Sequence, residues 1–447
     1  MNRIYQTVYW NYRILSGLWY WMHRRFTRPG LCLVGGLIVA GAAGMDIENS
    51  VTYQAFSLLS GFLLLACACS FFFRAKFSAV RHLPRVGTAG LTLHYHVQVK
   101  NLTRKTQAGL ALLENLTDPR PSFDDWLRFQ LAEGKRVRPF RVAQRRRKSP
   151  FRLAHSKVAE IPPMTAGGEV EVRVEVYPLR RGLLRFSGVT VARPDPLGIF
   201  RSFIPVTASD VVLILPKRYL LPALALPGAL RYQEGGVTLA ANIGRSEEFV
   251  SLRDYRHGDP LRHIHWRSWA RTGRPIVKEF EDEFFVRHAL ILDTFDDEPH
   301  SEILEECVSV AASFACAILT QESLLDLLFV GNQSYCFTAG RGLAHADQML
   351  EILASVNNSP GQKFTTLEKL VLNHISAVSG CICVLQRWDD DRRELVKKMR
   401  ALGVPLMVFV VTPPGAQKPD AGPLRDEPEN FHVLEIGHIQ EKLSKLK

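Results

Sequence analysis

At 447 residues and a formal net charge of +12, the chain is long enough for two or three cored units, and its basic excess directs attention to anionic partners: lipid headgroups, an acidic protein surface or nucleic acid. Its eight cysteines show no paired zinc-knuckle spacing, and no P-loop, dinucleotide fingerprint or nucleophile–base pair is present. Cys67 and Cys69 fall in an apolar run, and Cys381 and Cys383 alternate in a strand pattern, which is the usage of a reducing compartment.

Residues 1–28 mix Arg3, Arg13, Arg24, Arg25 and Arg28 with Tyr5, Trp10, Trp19, Tyr20 and Trp21. Such a basic, aromatic segment suits the membrane–water interface; a frayed tail is the plain alternative. Residues 29–75 predict a transmembrane helix hairpin, with spans over about 30–47 and 51–73 joined by Asp46–Ser50. A cleaved signal peptide ending near Ala40-Gly41-Ala42 is the rival, but its basic region is too long and a second span follows at once. Arg24, Arg25 and Arg28 precede the first span, and Arg74, Lys76, Arg81 and Arg85 follow the second, while the connector carries Asp46 and Glu48. The positive-inside rule therefore predicts a multi-pass inner (cell) membrane protein with both termini and the soluble body in the cytoplasm.

Residues 84–216 predict an antiparallel β-sandwich-like domain. Leu93, Tyr95, Val97 and Val99 alternate with His94, His96, Gln98 and Lys100, and Val170 to Val176 repeat the period of two. His94 and His96 share a face, but no third metal ligand accompanies them. A basic loop, 135–157, holds ten Lys or Arg and no acid, with Arg145, Arg146, Arg147 and Lys148 at its centre. A solvated loop is the plain reading; contact with anionic lipid is the functional one. Nucleic acid is not expected, because no binding motif accompanies the charge. Residues 217–245 form a Leu-, Pro- and Gly-rich linker.

Residues 246–286 are the densest stretch. Arg253, Asp254, Tyr255, Arg256, His257, Gly258, Asp259 and Pro260 run unbroken, then Arg262, Arg267 and Arg271 interleave with Ile264, Trp266, Trp269 and Ala270. Gly258-Asp259-Pro260 is a turn signal. The positions Arg253, Tyr255, Gly258, Asp259, Arg262, Ile264, Trp266, Ala270 and Arg271 match in order and spacing the signature of a bacterial family that they resemble, the domain-of-unknown-function family fifty-eight. Asp195-Pro196-Leu197-Gly198 resembles the family's Asp-Pro-Phe-Gly element, with Leu197 in place of Phe. The resemblance implies a membrane-anchored protein with a β-rich segment, a von Willebrand factor A-like domain and a MoxR-type AAA+ ATPase as partner, and no known reaction. Two structural readings compete. In one, Arg253, Asp259, Arg262 and Arg271 form a partly buried brace, with Ile264, Trp266 and Ala270 inside. In the other the stretch is an exposed docking site.

Residues 287–447 alternate continuous apolar strands with amphipathic helices, which predicts a doubly wound, mostly parallel α/β domain. The resemblance implies a divalent-cation motif after its first strand. There the sequence reads Asp293-Thr294-Phe295-Asp296-Asp297, so Asp293 is kept while Phe295 and Asp297 replace serines; Thr366 or Thr365 is the distant hydroxyl, and Gln386 stands where a further acid is expected. Asp293, Asp297 and Thr366 are thus weak candidates, and no metal, no cofactor and no catalytic residue is expected. The leading expectation is a non-enzymatic scaffold working with the ATPase in assembly or maturation of a client. The alternative is a membrane-tethered metal-dependent hydrolase or nuclease using Asp254, His257, Asp259, His263 and His265.

Overall fold

The computed structural model describes residues 2–43, 50–71, 73–118, 120–136, 151–222, 244–259, 261–283, 287–296, 301–319, 324–340 and 343–446. The chain divides into two compact units, Met1–Lys217 and Arg218–Lys447. The result is a mixed α/β protein.

The first unit begins with α1 (Asn2–Arg25), α2 (Arg28–Ala43) and α3 (Ser50–Phe71). The basic, aromatic start is therefore a helix, not a frayed tail. Among the described residues one helix, over Val51–Ser70, is long and apolar enough to cross a membrane; α2 is apolar but shorter. The predicted two-span hairpin is thus met in α3 alone. α2 packs against α3, and the connector 46–49 lies outside the described residues.

Eleven further elements follow: β1 (Phe77–His82), β2 (Val86–Thr88), β3 (Leu93–Asn101), β4 (Leu110–Leu116), α4 (Phe123–Arg136), β5 (Ala154–Ser156), β6 (Ala159–Ile161), β7 (Glu169–Pro178), β8 (Gly182–Pro194), β9 (Arg201–Val206) and β10 (Asp210–Leu215). One sheet runs β1-β3-β7-β5; the other runs β2-β10-β8-β4-β6, with β9 on β8. Pairing is antiparallel except between β2 and β10. The alternation read along β3 is the observed one. Tyr95, Val97 and Val99 point into a core shared with Leu112, Leu184, Phe186 and Ile214 of the other sheet, and His94 and His96 face out. No group of three His, Cys, Asp or Glu gathers as a metal set among the described residues. The basic centre Arg145, Arg146, Arg147 and Lys148 lies outside them. One expectation fails here. Arg81, counted among the flanking charges of the second span, is buried in β1, where it pairs with Glu114 at 2.7 Å and Asp210 at 2.5 Å. A guanidinium closed in by two carboxylates is a core contact and carries no topology signal.

The Asp195–Gly198 turn anchors the helices to the sheets. The Asp195 carboxylate accepts from the amides of Leu197, Ile199 and Phe200 at 3.2, 2.7 and 2.7 Å. That fixes the carbonyls of Gly198 and Ile199, which accept from the Thr27 hydroxyl and amide. Thr27 in turn caps α2 by accepting from Gly30 N at 3.2 Å. A Cβ on Gly30 would lie 2.1 Å from the Ile199 carbonyl oxygen, a backbone clash that no rotamer relieves. Gly30→Ala is expected to cost about 1–3 kcal/mol, the usual price of overpacking. Detergent-solubilised protein should show it as a lower melting temperature, and an unchanged melt would mean that α2 does not dock on this turn.

The second unit opens with Tyr219, whose amide donates to Ser313 Oγ at 2.7 Å, and Leu220, which exchanges hydrogen bonds with the Gln440 side chain at 3.0 and 2.9 Å. Most of the predicted linker, 223–243, lies outside the described residues. β11 (Gly244–Asp254) and, after a tip containing α5 (Trp266–Thr272), β12 (Ile276–Glu283) form a two-stranded antiparallel ribbon. The α/β layers follow as β13 (Arg287–Leu292), α6 (Glu302–Leu319), β14 (Leu324–Val330), β15 (Ser334–Ala339), α7 (Leu343–Ser355), α8 (Thr365–His374), β16 (Gly380–Leu385), α9 (Asp390–Ala401), β17 (Leu406–Thr412), β18 (Phe431–Glu435) and α10 (Ile439–Leu443). The sheet order is β15-β14-β13-β16-β17-β18, parallel except for β15 on β14. Helices α8 and α9 cover the face bearing Ala289, Ile291, Cys381 and Cys383. On the other face Phe314 of α6 lies 4.8 Å from Phe409. The central strands are apolar on both sides because both sides are covered.

Candidate functional site: a ribbon tip and a filled sheet edge

Residues 253–276 form the end of the ribbon, so the signature is a loop held at its base by strand pairing. Tyr255 N donates to Pro275 O at 2.9 Å, and His265 N donates to Ile276 O at 2.8 Å. Ile264 is buried and bridges to Val277. Gly258 takes φ 107°, a left-handed value that a side chain would strain, and this lets Asp259 turn back toward the ribbon. Arg253 then grips the Asp259 carboxylate with two bonds, Nη1–Oδ2 at 2.7 Å and Nη2–Oδ1 at 2.8 Å, and Arg256 N adds a third at 2.8 Å. Gly273, also left-handed, ends α5 by donating its N–H to Trp269 O.

This latch is half of the expected brace, and the other half is absent. Arg262, Ala270 and Arg271 are exposed. Trp266, expected inside, is 63% exposed and stacks on Trp269 at 5.2 Å; Leu261 is 68% exposed. The physical reason is geometric: among the described residues the ribbon has two strands and no third, and at the tip Ile264, folded back on Val277, is the signature residue that finds cover. The histidines and acids do not converge into one set. His265 Nδ1 bonds Ser268 Oγ at 2.6 Å, His263 bonds Arg262, and Asp254 is exposed.

The Arg253 guanidinium and the Arg256 amide lower the Asp259 carboxyl to about 2. An unfolded Asp titrates near 3.9. The depressed group therefore contributes fully above about pH 4, and the contribution is lost as pH falls through the folded value. Carboxyl-carbon NMR should place the Asp259 midpoint near 2; a midpoint near 4 would show that the latch is open in solution.

The second site lies where the sheet changes direction. The chain runs outward from β13 to β14 and returns to the other side of β13 as β16, so the carboxyl ends of β13 and β16 form the topological switch point, the usual ligand crevice of such sheets. Asp293 follows β13 and Gln386 follows β16. Asp293 is completely buried. Its two oxygens receive four N–H donors: Phe295 N at 3.0 Å, Gln386 N at 3.1 Å, and Arg392 Nη2 and Nε at 3.1 Å each. Arg392, from the first turns of α9, also donates to Asp389 Oδ2 at 2.7 Å and Phe295 O at 3.2 Å, and its guanidinium lies 4.3 Å from the centre of the Phe364 ring. Burial pushes the Asp293 carboxyl upward, and Arg392 with the two amides pulls it back. Burial acts against the charge of Arg392, but the two carboxylates outweigh it and raise its affinity for the proton. We read the pair as ionic, since four donors converge on the carboxylate.

A divalent cation does not fit this arrangement. Both Asp293 oxygens are engaged, and a guanidinium already supplies the positive charge at that point. Gln386 Oε1 is left as a buried acceptor without a partner, which is far short of six oxygen ligands. Thr366 lies in the first turn of α8, with its amide on Lys363 O; Asp297 lies outside the described residues. Arg392 had not been singled out in the sequence, although it shares the buried face of α9 with Leu395, Val396 and Met399.

Uncharacterized protein YeaD of Bacillus subtilis (strain 168) is 28% identical over 182 residues, which is 40% of this chain and 44% of the relative; the chain thus spans less than half the length of that curated relative. Among solved structures, the ASH / PapD-like domain of human CEP192 covers 31% of this chain and 87% of its own at 11% identity and a TM-score of 0.17. An exo-β-N-acetylglucosaminidase of Vibrio harveyi covers 76% and 57% at 9% identity and a TM-score of 0.16. Neither structural likeness carries an argument. The family model described as "Protein of unknown function DUF58" matches residues 251–444, from the ribbon through α10, and over those residues the chain is similar to the DUF58 family.

Proposed function

We propose that this protein is a membrane-anchored, non-enzymatic scaffold whose ribbon tip docks a MoxR-type AAA+ ATPase. The observation that carries the reading is the exposure of Leu261 and Trp266 beside Arg256, Arg262, Arg267 and Arg271 at the end of a latched loop. Trp and Arg are the side chains that most often dominate binding energy at interfaces, and a preformed loop loses little entropy on docking. Both candidate acids support the same reading, since Asp259 and Asp293 are each held by an arginine. In this proposal the α/β unit is a von Willebrand factor A-like domain whose cation position has been given over to Arg392. Co-purification of a AAA+ ATPase with the full-length protein from native membranes tests the role. Its absence, together with metal-dependent turnover of nucleic acid or ester substrates by the purified protein, would favour a hydrolase instead.

Anchoring in this reading uses α2 and α3, which pack against each other, as a two-helix hairpin. The 16 residues of α2 rise roughly 24 Å, short of a ~30 Å hydrocarbon core. Both termini then face the cytoplasm, with Asp46–Ser50 outside. A Lys447→Cys variant, in a background lacking other accessible cysteines, should resist an impermeant thiol reagent in intact cells and react after lysis. Reaction before lysis would reverse the orientation.

A further inference from the structure

We infer that α1 lies in the plane of the membrane interface, with its exposed apolar stripe in lipid and its tyrosine face holding the β-sheet domain. This rests on the membrane anchoring proposed above. The two faces of α1 are covered differently. Tyr9 is buried, its hydroxyl donates to Pro121 O at 2.9 Å, and its ring lies 5.4 Å from Phe123 and 5.5 Å from Trp126. Tyr12 stacks on Trp126 at 6.2 Å. Ser16 continues this face at helical spacing.

Flanking that face at helical spacing, Ile4, Val8, Leu15, Leu18 and Trp19 form an exposed apolar stripe, Ile4 at 70% and Leu15 at 65%. α1 thus has three sectors: tyrosines buried on its own domain, the exposed apolar stripe beside them, and a polar side with Arg3, Gln6, Thr7 and Arg13 exposed. A soluble helix would bury that stripe.

Three observations identify the occupant as lipid. First, α1 contains no Asp or Glu and carries Arg3, Arg13, Arg24 and Arg25, the charge that anionic headgroups favour. Second, Trp10, Trp19 and Trp21 lie among the exposed residues, and such rings prefer headgroup depth. Third, α1 passes through Phe26 and Thr27 into α2, which packs on α3, the helix with the composition of a span. Phe26 closes that junction by packing with Ala66 of α3 and with Ile199 and Phe200. A chain that must enter the bilayer at Arg28 has α1 at the bilayer surface.

The test uses full-length protein with accessible native cysteines replaced by serine. Single cysteines at Val8→Cys, Leu15→Cys, Ser16→Cys and Leu58→Cys carry a bimane label. The protein is reconstituted in vesicles of three parts phosphatidylcholine to one part phosphatidylglycerol, with a nitroxide either near the headgroup or deep in the acyl chain. Labels at positions 8 and 15 should be quenched more by the shallow nitroxide than by the deep one, Ser16→Cys less than either, and Leu58→Cys, in α3, most by the deep nitroxide. Unquenched labels at 8 and 15 beside a deeply quenched 58 would overturn the inference while leaving the anchoring intact, and would assign the apolar stripe to protein, such as a second copy. Deep quenching at 8 and 15 would make α1 a span and overturn it equally. An unquenched label at 58 would remove the anchoring and the inference with it.

Discussion

Replacing Asp293 with Ala is expected to destabilise the sheet edge of the second unit by about 3–5 kcal/mol, the range for breaking a buried ion pair on one side. The cost is not the lost attraction alone. Arg392 stays behind with 6% of its side chain exposed, and the amides of Phe295 and Gln386 lose their acceptor inside the protein. Part of the loss is softened, because Arg392 keeps Asp389, the Phe295 carbonyl and the face of Phe364, which places the expectation toward the lower end. Asp389→Ala should cost less, about 1 kcal/mol for its helix cap plus at most about 1 for a half-exposed pair. Adding Arg392→Met to Asp293→Ala should restore much of the stability, since two apolar groups of similar volume often replace a buried pair without penalty. A chain of two units does not melt as one, so hydrogen exchange of β13 and β16 is the proper readout. If exchange there is no faster in Asp293→Ala than in the wild type, the clamp is not a structural element and its arginine must be free to serve something else.

What the sequence could reveal followed from where each element lies. Ala289–Leu292, Cys381–Leu385 and Leu406–Val411 were legible because strands covered on both faces are apolar throughout, and β3 and β7 were legible because one open face imposes a period of two. β15 was missed: it is a short edge strand whose Tyr335 and Phe337 stack on Phe329 at the sheet margin, and an edge carries a weak pattern. β11 and β12 were missed for another reason: among the described residues they pair only with each other, and the mixed charges and indoles of the signature set no clear period of two. Composition also misled at Trp266 and Ala270, where apolar character suggested burial and both side chains are exposed. The Asp293–Arg392 clamp joins residues 99 positions apart, so no local spacing could announce it. One signal was available. Arg392 stands at the head of the stripe Leu395, Val396 and Met399, and an arginine on the apolar face of a helix must find an acceptor inside.

Trp266→Ala is expected to reduce recovery of the proposed AAA+ partner by about thirtyfold or more while leaving the fold intact. Truncation of a central Trp hot spot costs about 2 kcal/mol or more, and each 1.4 kcal/mol is about tenfold in affinity. The fold should be spared because Trp266 contributes little to it: the indole is 63% exposed, with Trp269 as its stacking partner, and exposed substitutions usually change stability by no more than about 0.5 kcal/mol. The loop is held instead by backbone bonds at Tyr255 and His265, by Ile264 on Val277, and by the Arg253–Asp259 latch, none of which the substitution touches. Asp259→Ala gives the complementary case. It removes the acceptor for Arg253 and for the Arg256 amide, so it should speed exchange and protease cutting within the tip and weaken binding through disorder, with Trp266 still present. The two variants therefore separate contact from preorganisation: the first loses partner with an ordered tip, the second loses partner because the tip is loose. A Trp266→Ala protein that binds normally, or one whose ribbon becomes protease-sensitive before any binding is lost, would return the signature to a structural role and leave the docking surface to be sought elsewhere on the second unit.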